Sequence, residues 1–432
     1  MEPRLQHRYA VLVQQHVHAA GKLTPGPSAP AETCSAFAAT QAAWRFLHNE
    51  SVTLPRLIEP LQQVARQWRQ FASGWALVVH DWSVLSYPTH RSKADRVQLG
   101  SEHSWGYDLG TMLLVDGDTG APVAPLAMSL RAAQSVCSTQ TPAPALDAPH
   151  LDAIGPAMHE VARLGLGERV VHVIDEEADA LAYYRQWHAD RHYFLVRADG
   201  RRKVRWQGVE VALAELGQRL QAQGHGERSR EVTYRRQQAI QHVAETTVVL
   251  DRPAWRHRRR GSQRINQRVP GKPIALRLIV SRVCDASGTT VAVWYLLTNV
   301  PSEVTAATAA LWYYWRWRIE SFFKLLKEAG QQVEQWQQET AAAIARRLLV
   351  AAMACVLVWK LERATAVEDV RFREFLVRLS GRQMKRGKRH TAPALLGGLY
   401  VYLTMLEVLE HHSLAELQGM RKHVRLKDLD TG

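Results

Sequence analysis

The sequence predicts a mixed α/β protein with helical ends, on three observations. Trp75-Ala-Leu-Val-Val-His-Asp81 is an apolar run of strand length that ends on an acid, and Arg169-Val-Val-His-Val-Ile-Asp175 repeats the pattern. A helical stretch from Glu176 to Trp187 then leads to another strand at Tyr193 to Val196, and the order strand, helix, strand builds a mixed sheet. Residues 200 to 305 turn basic and β-rich, after which helical patterning dominates.

These features divide the chain into five regions. Residues 1–70 read as helical, with an apolar cluster at Ala42, Ala43, Trp44, Phe46 and Leu47 and a Pro-rich loop from Pro25 to Pro30. Residues 71–198 hold both acid-ended strands and a hairpin turning at Asp116-Gly117-Asp118. Residues 199–305 read as a β-rich insertion, with strands at Ile274 to Val283 and Val291 to Thr298 and an Arg-rich loop from Arg256 to Arg268. Residues 306–363 are helical and resume the core, and 364–432 stay largely helical apart from a basic stretch, Gly381 to Arg389. No internal repeat or heptad seam interrupts this order.

At 432 residues and 46% hydrophobic content, the chain is long and apolar enough for two or three folded domains. Its 55 Lys and Arg against 41 Asp and Glu give a formal charge of +14, which favours a polyanionic partner such as nucleic acid. The cysteines, Cys34, Cys137, Cys284 and Cys355, are far apart and contain no C-x-x-C pair, so neither a zinc knuckle nor a disulfide framework is expected. The N-terminus lacks the apolar run of a signal peptide, and the longest apolar stretch, Leu348 to Trp359, falls short of the roughly 20 residues that span a bilayer. A soluble cytoplasmic protein with no membrane partner is the expectation.

The segment from Tyr313 to Lys327 is the most informative. On a single helix, Tyr313, Arg316, Glu320, Lys324 and Lys327 fall within an arc of about 80°, while Trp312, Trp315, Ile319, Phe322 and Leu326 lie elsewhere. One side packs and the other presents an acid among cations. An ordinary amphipathic helix with a solvated charged face gives the same pattern, so the acid's role depends on partners.

Asp81 and Asp175 are available as partners, each at the end of an apolar run where a sheet can project it into a shared cleft. Three converging carboxylates repel one another unless cations neutralise them, and an all-oxygen donor set favours Mg²⁺ or Mn²⁺. Two ions bridged by such acids can activate a water or a 3′-hydroxyl and stabilise the departing oxygen in phosphoryl transfer. A lone Asp at a strand end is more often a turn former, so the three count only together.

Tyr313-x-x-Arg316-x-x-x-Glu320-x-x-x-x-x-x-Lys327 resembles the Y-R-E-K signature of the DDE transposases of the insertion-sequence-four group. Arg316-Trp317-Arg318-Ile319-Glu320 looks like the same family, as do His80-Asp81-Trp82-Ser83, Asp175-Glu-Glu-Ala-Asp179 and Ala43-Trp44-Arg45-Phe46. The resemblance implies a ribonuclease H-like core interrupted by a β-rich domain and flanked by DNA-binding and dimerising ends. It implies cut-and-paste transposition in a bacterial, nucleoid-associated setting, with transposon ends and target DNA as partners and a homodimer in the DNA complex.

By the same resemblance Asp81, Asp175 and Glu320 hold two Mg²⁺ or Mn²⁺ ions, and Tyr313, Arg316 and Lys327 grip phosphates near the cleaved end. Lys324 joins them by helical geometry. Trp294, in Val293-Trp-Tyr-Leu-Leu-Thr298, resembles the family's tryptophan that stacks on a flipped base during hairpin formation, and Arg197 resembles a DNA-contacting arginine. The basic stretches Arg256 to Arg268 and Lys385 to Arg389 are expected to neutralise phosphates.

Two features depart from the family: Glu176 stands where a basic residue is usual, and the chain starts close to the first end-recognition helices. Two other readings therefore stand beside an active transposase. One is a shortened, transposition-inhibiting protein that dimerises without recognising ends, and the other is a general ribonuclease H-like nuclease.

Overall fold

The computed structural model describes residues 2–18, 33–99, 104–235, 237–260, 263–269, 271–327, 330–384, 387 and 389–420. The protein is mixed α/β, and its chain divides into two compact units, Leu54–Phe323 and Met1–Thr53 together with Lys324–Gly432.

Leu54–Phe323 is built on a 13-stranded mixed sheet. Its first seven strands are β1 (Ala76–Ser86), β2 (Val97–Gln98), β3 (Trp105–Asp116), β4 (Pro122–Arg131), β5 (Val136–Ser138), β6 (Val170–Ile174) and β7 (Tyr193–Ala198). Then come β8 (Lys203–Trp206), β9 (Val209–Ala212), β10 (Glu227–Tyr234) and β11 (Gln237–Leu250). Strands β12 (Ala254–Arg260) and β13 (Gln263–Val269) form a separate pair, and β14 (Ile274–Cys284) and β15 (Thr290–Thr298) return to the sheet. The strand order is β5-β4-β3-β1-β6-β7-β15-β14-β11-β8-β9, with β10 on β11 and β2 on β3.

β1, β6 and β7 are parallel neighbours, and every other pairing among the described residues is antiparallel. The parallel strands are covered on both faces, which is why they read as unbroken apolar runs: Ala76 to His80 and Val171 to Ile174 are all buried. Helix Leu181–Ala189 makes the crossover from β6 to β7 and packs Tyr184 and Trp187 against Phe194, with ring centroids 5.4 and 5.8 Å away. Antiparallel pairing of β15 with β7, from Thr298↔Leu195 to Tyr295↔Ala198, joins the basic β-rich stretch to the same sheet. Asn299 fastens this seam, accepting from the Phe194 N–H at 2.9 Å and donating to the His192 carbonyl at 2.8 Å.

The β3–β4 turn follows from Asp116, whose carboxylate accepts from the backbone N–H of Asp118 at 2.8 Å and of Thr119 at 3.0 Å. Gly120 completes it at φ +68°, where a side chain is strained.

Three local expectations change. β1 does not stop at Asp81 but runs on to Ser86, because β3 continues to pair with it as far as Ser86↔Gly106. The Arg-rich segment expected as a loop is the β12–β13 hairpin, paired from Ala254↔Val269 to Arg260↔Gln263 with two residues of sequence between the strands. Tyr313 to Lys327 is not one helix: Ala306–Trp315 ends before Arg316, and Trp317–Leu326 begins after it. Around Arg316 the bonding tightens, with Arg316 N–H to the Tyr313 carbonyl and Ile319 N–H to the Arg316 carbonyl, both at 3.1 Å.

The other unit is helical, with Pro3–His18, Thr33–His48, Ala341–Arg363, Val367–Leu379, Ala392–His411 and Leu414–Met420. Ala341–Arg363 is its core, and Arg346 ties it to the Val52 and Leu47 carbonyls at 2.7 and 2.9 Å. Ala341–Arg363 and Ala392–His411 are long and apolar enough to cross a membrane, contrary to the sequence expectation, because each helix outruns its continuous apolar stretch. The first is 78% buried within the protein, as a core helix is, whereas the second is 29% buried and exposes Met405, Leu406 and Leu409. An apolar groove of about 710 Å³ opens among Tyr9, Val13, Met353, Leu357, Phe372 and Leu403. The Pro25 to Pro30 segment lies outside the described residues.

Candidate active site

The parallel pairing of β1 with β6 ends at His80↔Ile174, and the next residues are Asp81 and Asp175. Beyond that point β1 goes on with β3 alone, while the chain after Ile174 leaves the sheet in a single turn, Glu176–Ala178. The two acids thus stand side by side at the carboxyl ends of adjacent parallel strands, where open α/β sheets form their binding crevices. Each uses one oxygen locally: Asp81 Oδ1 accepts from the Trp82 N–H at 2.8 Å, and Asp175 Oδ1 from the Glu176 N–H at 2.7 Å.

Glu320 is delivered by the helix pair. Thr305 caps Ala306–Trp315 by accepting from the Thr308 N–H at 3.1 Å, and buried Trp312 donates to the Gly117 carbonyl at 2.9 Å. Trp312 therefore pins the helix to the β3–β4 turn, and the next residues along it, Tyr313 and Arg316, reach the acids. Glu320 lies in the first turn of Trp317–Leu326, where the helix dipole favours a negative charge.

One guanidinium joins all three carboxylates. Arg316 NH1 lies 2.9 Å from Asp81 Oδ2, and NH2 lies 3.2 Å from Asp175 Oδ2 and 3.1 Å from Glu320 Oε1. The Arg316 side chain is 7% exposed, against 17%, 23% and 39% for Asp81, Asp175 and Glu320, so the cation is the most buried member. Asp175 also accepts from the Tyr313 hydroxyl at 3.0 Å and is ion-paired with Arg197, whose Nε lies 2.7 Å away; Arg197 NH2 also reaches Glu176 at 3.2 Å.

These partners separate the acids electrostatically. Burial lifts the Asp81 carboxyl to about 6 against the pull of Arg316, with Asp175 and Glu320 adding to the rise. Burial also pushes Asp175 up, but Arg316, the Glu176 N–H, Arg197 and Tyr313 outweigh it and hold Asp175 below the usual carboxylate value. Glu320 is raised, by burial and by Asp175, with Arg316 opposing. Tyr313 is kept protonated by burial and by the neighbouring Asp175.

Asp81, Asp175, Glu320 and Glu176 outnumber their guanidinium partners, Arg316 and Arg197, two to one. Among the described residues no three His, Cys, Asp or Glu side chains stand as a ready-made ion cage, and the guanidinium lies where these carboxylates point. With the guanidinium withdrawn, three oxygen donors of net negative charge fit a hard divalent cation.

The remaining sequence candidates are placed as follows. Trp294 is half-buried on β15, tilted by 53° to Tyr313 at 6.4 Å and edge-on to Tyr234 at 6.1 Å. Lys324 is exposed one helical turn after Glu320, and Lys327 pairs with Glu334 at 3.6 Å. The side chains of residues 256–267 lie outside the described ones, as do Lys385, Arg386 and Lys388 of the second basic stretch.

Two aromatic neighbours were given no role of their own in the sequence reading. Tyr234 reaches Trp294 only through the pairing of β10, β11, β14 and β15, for which no local signal exists. Trp317, 51% exposed with Arg316 centred 5.4 Å from its ring, was signalled by its place between two arginines. No protein-family model matches the chain, and no curated protein matches it.

Proposed function

We propose that the chain is a DNA transposase of the insertion-sequence-four group, cutting and rejoining phosphodiester bonds at a ribonuclease H-like centre made of Asp81, Asp175 and Glu320. The convergence of three acids, remote in sequence, on one guanidinium carries this reading. Parallel strands β1, β6 and β7, with the third acid on a helix, suit such a core; of the Y-R-E-K positions, Tyr313 and Arg316 touch the acids, Glu320 is one of them, and Lys327 directly follows the end of the Glu320 helix.

Asp81, Asp175 and Glu320 would hold two Mg²⁺ or Mn²⁺ ions, which when bound supply an activated water or 3′-hydroxyl and a counter-charge for the departing oxygen. Arg197 keeps Asp175 ionised and oriented. Tyr313, Arg316, Lys324 and Lys327 supply donors and positive charge to the phosphates flanking the cut. Trp294 offers a ring beside Tyr313 on which an extruded base can stack. The charge of +14 suits transposon ends and target DNA, and the apolar groove with exposed Met405, Leu406 and Leu409 suits a second copy of the chain. Such a protein acts in the bacterial cytoplasm, at the nucleoid.

The test is incubation of the protein and Mg²⁺ with a plasmid carrying the DNA that flanks its coding region. Excised ends bearing 3′-hydroxyls and joined to a target support the reading. Nicking without joining points to a general nuclease, and cleavage unchanged by Asp175→Asn removes the centre.

A further inference from the structure

We propose that Arg316 closes the carboxylate site in the DNA-free protein, and that a DNA backbone phosphate, by taking the guanidinium, opens the site to the divalent cation. This rests on the reading of the three acids as metal ligands and adds an order of events to it.

Arg316 holds Asp81 Oδ2, Asp175 Oδ2 and Glu320 Oε1, all within 3.2 Å, and these converging carboxylates are the groups that would hold a cation. Ion and guanidinium compete for the same carboxylates, and their like charges exclude joint occupancy at such range. The closed state is not left spontaneously, because removing the one buried cation strands three carboxylates against one another.

Two features provide the way out. Arg316 Nε is buried with no acceptor, so the closed arrangement leaves one of its donors unsatisfied. A phosphate can accept from Nε and a terminal nitrogen together, the planar fork that carboxylates reached only through NH1 and NH2 do not use. Outside the site, the guanidinium already lies 5.4 Å from the ring of Trp317, which is 51% exposed and gives the displaced cation a surface to rest on. DNA and metal then bind with positive coupling, each raising the other's affinity by the same factor.

The experiment measures Mn²⁺ binding to the DNA-free protein by electron paramagnetic resonance, for wild type, Arg316→Gln and Arg316→Lys. Circular dichroism of each variant, with and without Mn²⁺, reports folding. Wild type should bind Mn²⁺ weakly, Arg316→Gln about ten-fold or more tightly, and Arg316→Lys in between. Thermal unfolding of Arg316→Gln should move upward on adding Mn²⁺ more than that of wild type. A duplex ending in the flanking DNA should tighten Mn²⁺ binding in wild type and leave Arg316→Gln unchanged.

Equal or weaker Mn²⁺ binding by folded Arg316→Gln overturns the closure, and a duplex without effect on wild type overturns the phosphate step. Mn²⁺ binding by Arg316→Gln that survives Asp175→Asn would instead remove the acids as ligands, and with them the proposed function.

Discussion

Asp81 and Asp175 are the first residues past the last parallel pair of β1 and β6, His80 and Ile174, so sheet register alone sets them side by side. The third acid needs no register: the helix pair pinned by Trp312 carries Glu320 to them through Arg316.

Asp81→Asn, Asp175→Asn and Glu320→Gln should each reduce metal-dependent cleavage roughly a hundred-fold or more. Filter binding of DNA should stay within two-fold of wild type or improve, since each change removes negative charge. A variant that cleaves normally leaves the catalytic set.

Asp81 and His80, neighbours on β1, pull the pH dependence of stability in opposite directions. The folded Asp81 carboxyl is raised from 3.8 to about 6, so its contribution is present at low pH and lost as pH rises through that window. Burial lowers His80 from 6.5 to about 3, so the unfolded chain takes up a proton first and stability falls as pH drops below 6.5. Asp81→Asn removes the first effect alone. Urea denaturation should find it more stable than wild type by about 1–3 kcal/mol at pH 7, with the gain gone near pH 4. A difference that does not change with pH would mean that Asp81 is not desolvated.

Gly120→Ala should destabilise the protein by about 1–3 kcal/mol, because φ there is +68° and an added Cβ would lie 2.3 Å from the Trp315 ring. As Trp315 ends the helix that carries Tyr313, DNA cleavage should fall as well; an unaltered urea midpoint would contradict the tight packing.

Trp294→Ala should slow attack on the opposite strand about ten-fold or more while leaving the first nick within about two-fold, since stacking matters once a base is extruded. Gel analysis of the intermediates separates the steps. Equal slowing of both would make Trp294 a support for Tyr313, 6.4 Å away, and nothing more.

The acids were legible because their surroundings are local. A parallel strand buried on both faces writes itself as Ala-Leu-Val-Val-His or Val-Val-His-Val-Ile, and the acid after it marks where burial ends. Glu320 stood out through the resemblance of Tyr313, Arg316, Glu320 and Lys327 to a known signature, since helical spacing alone also fits an ordinary amphipathic helix. The seam of β15 with β7 was not, since it joins strands about a hundred residues apart through pairings that depend on global topology. The β12–β13 hairpin was hidden by its arginines, which read as a loop although backbone pairing does not depend on apolar side chains. Arg316 was expected as a phosphate ligand by the family resemblance; that it pairs with three carboxylates depends on distances no sequence motif encodes.

Anomalous diffraction from crystals of the protein with flanking-end DNA and Mn²⁺ would locate the cations directly. Scattering peaks bonded to the carboxylates of Asp81, Asp175 and Glu320, with the Arg316 guanidinium moved onto a phosphate, are the predicted result. Peaks away from these acids in crystals whose DNA has been cut would contradict it.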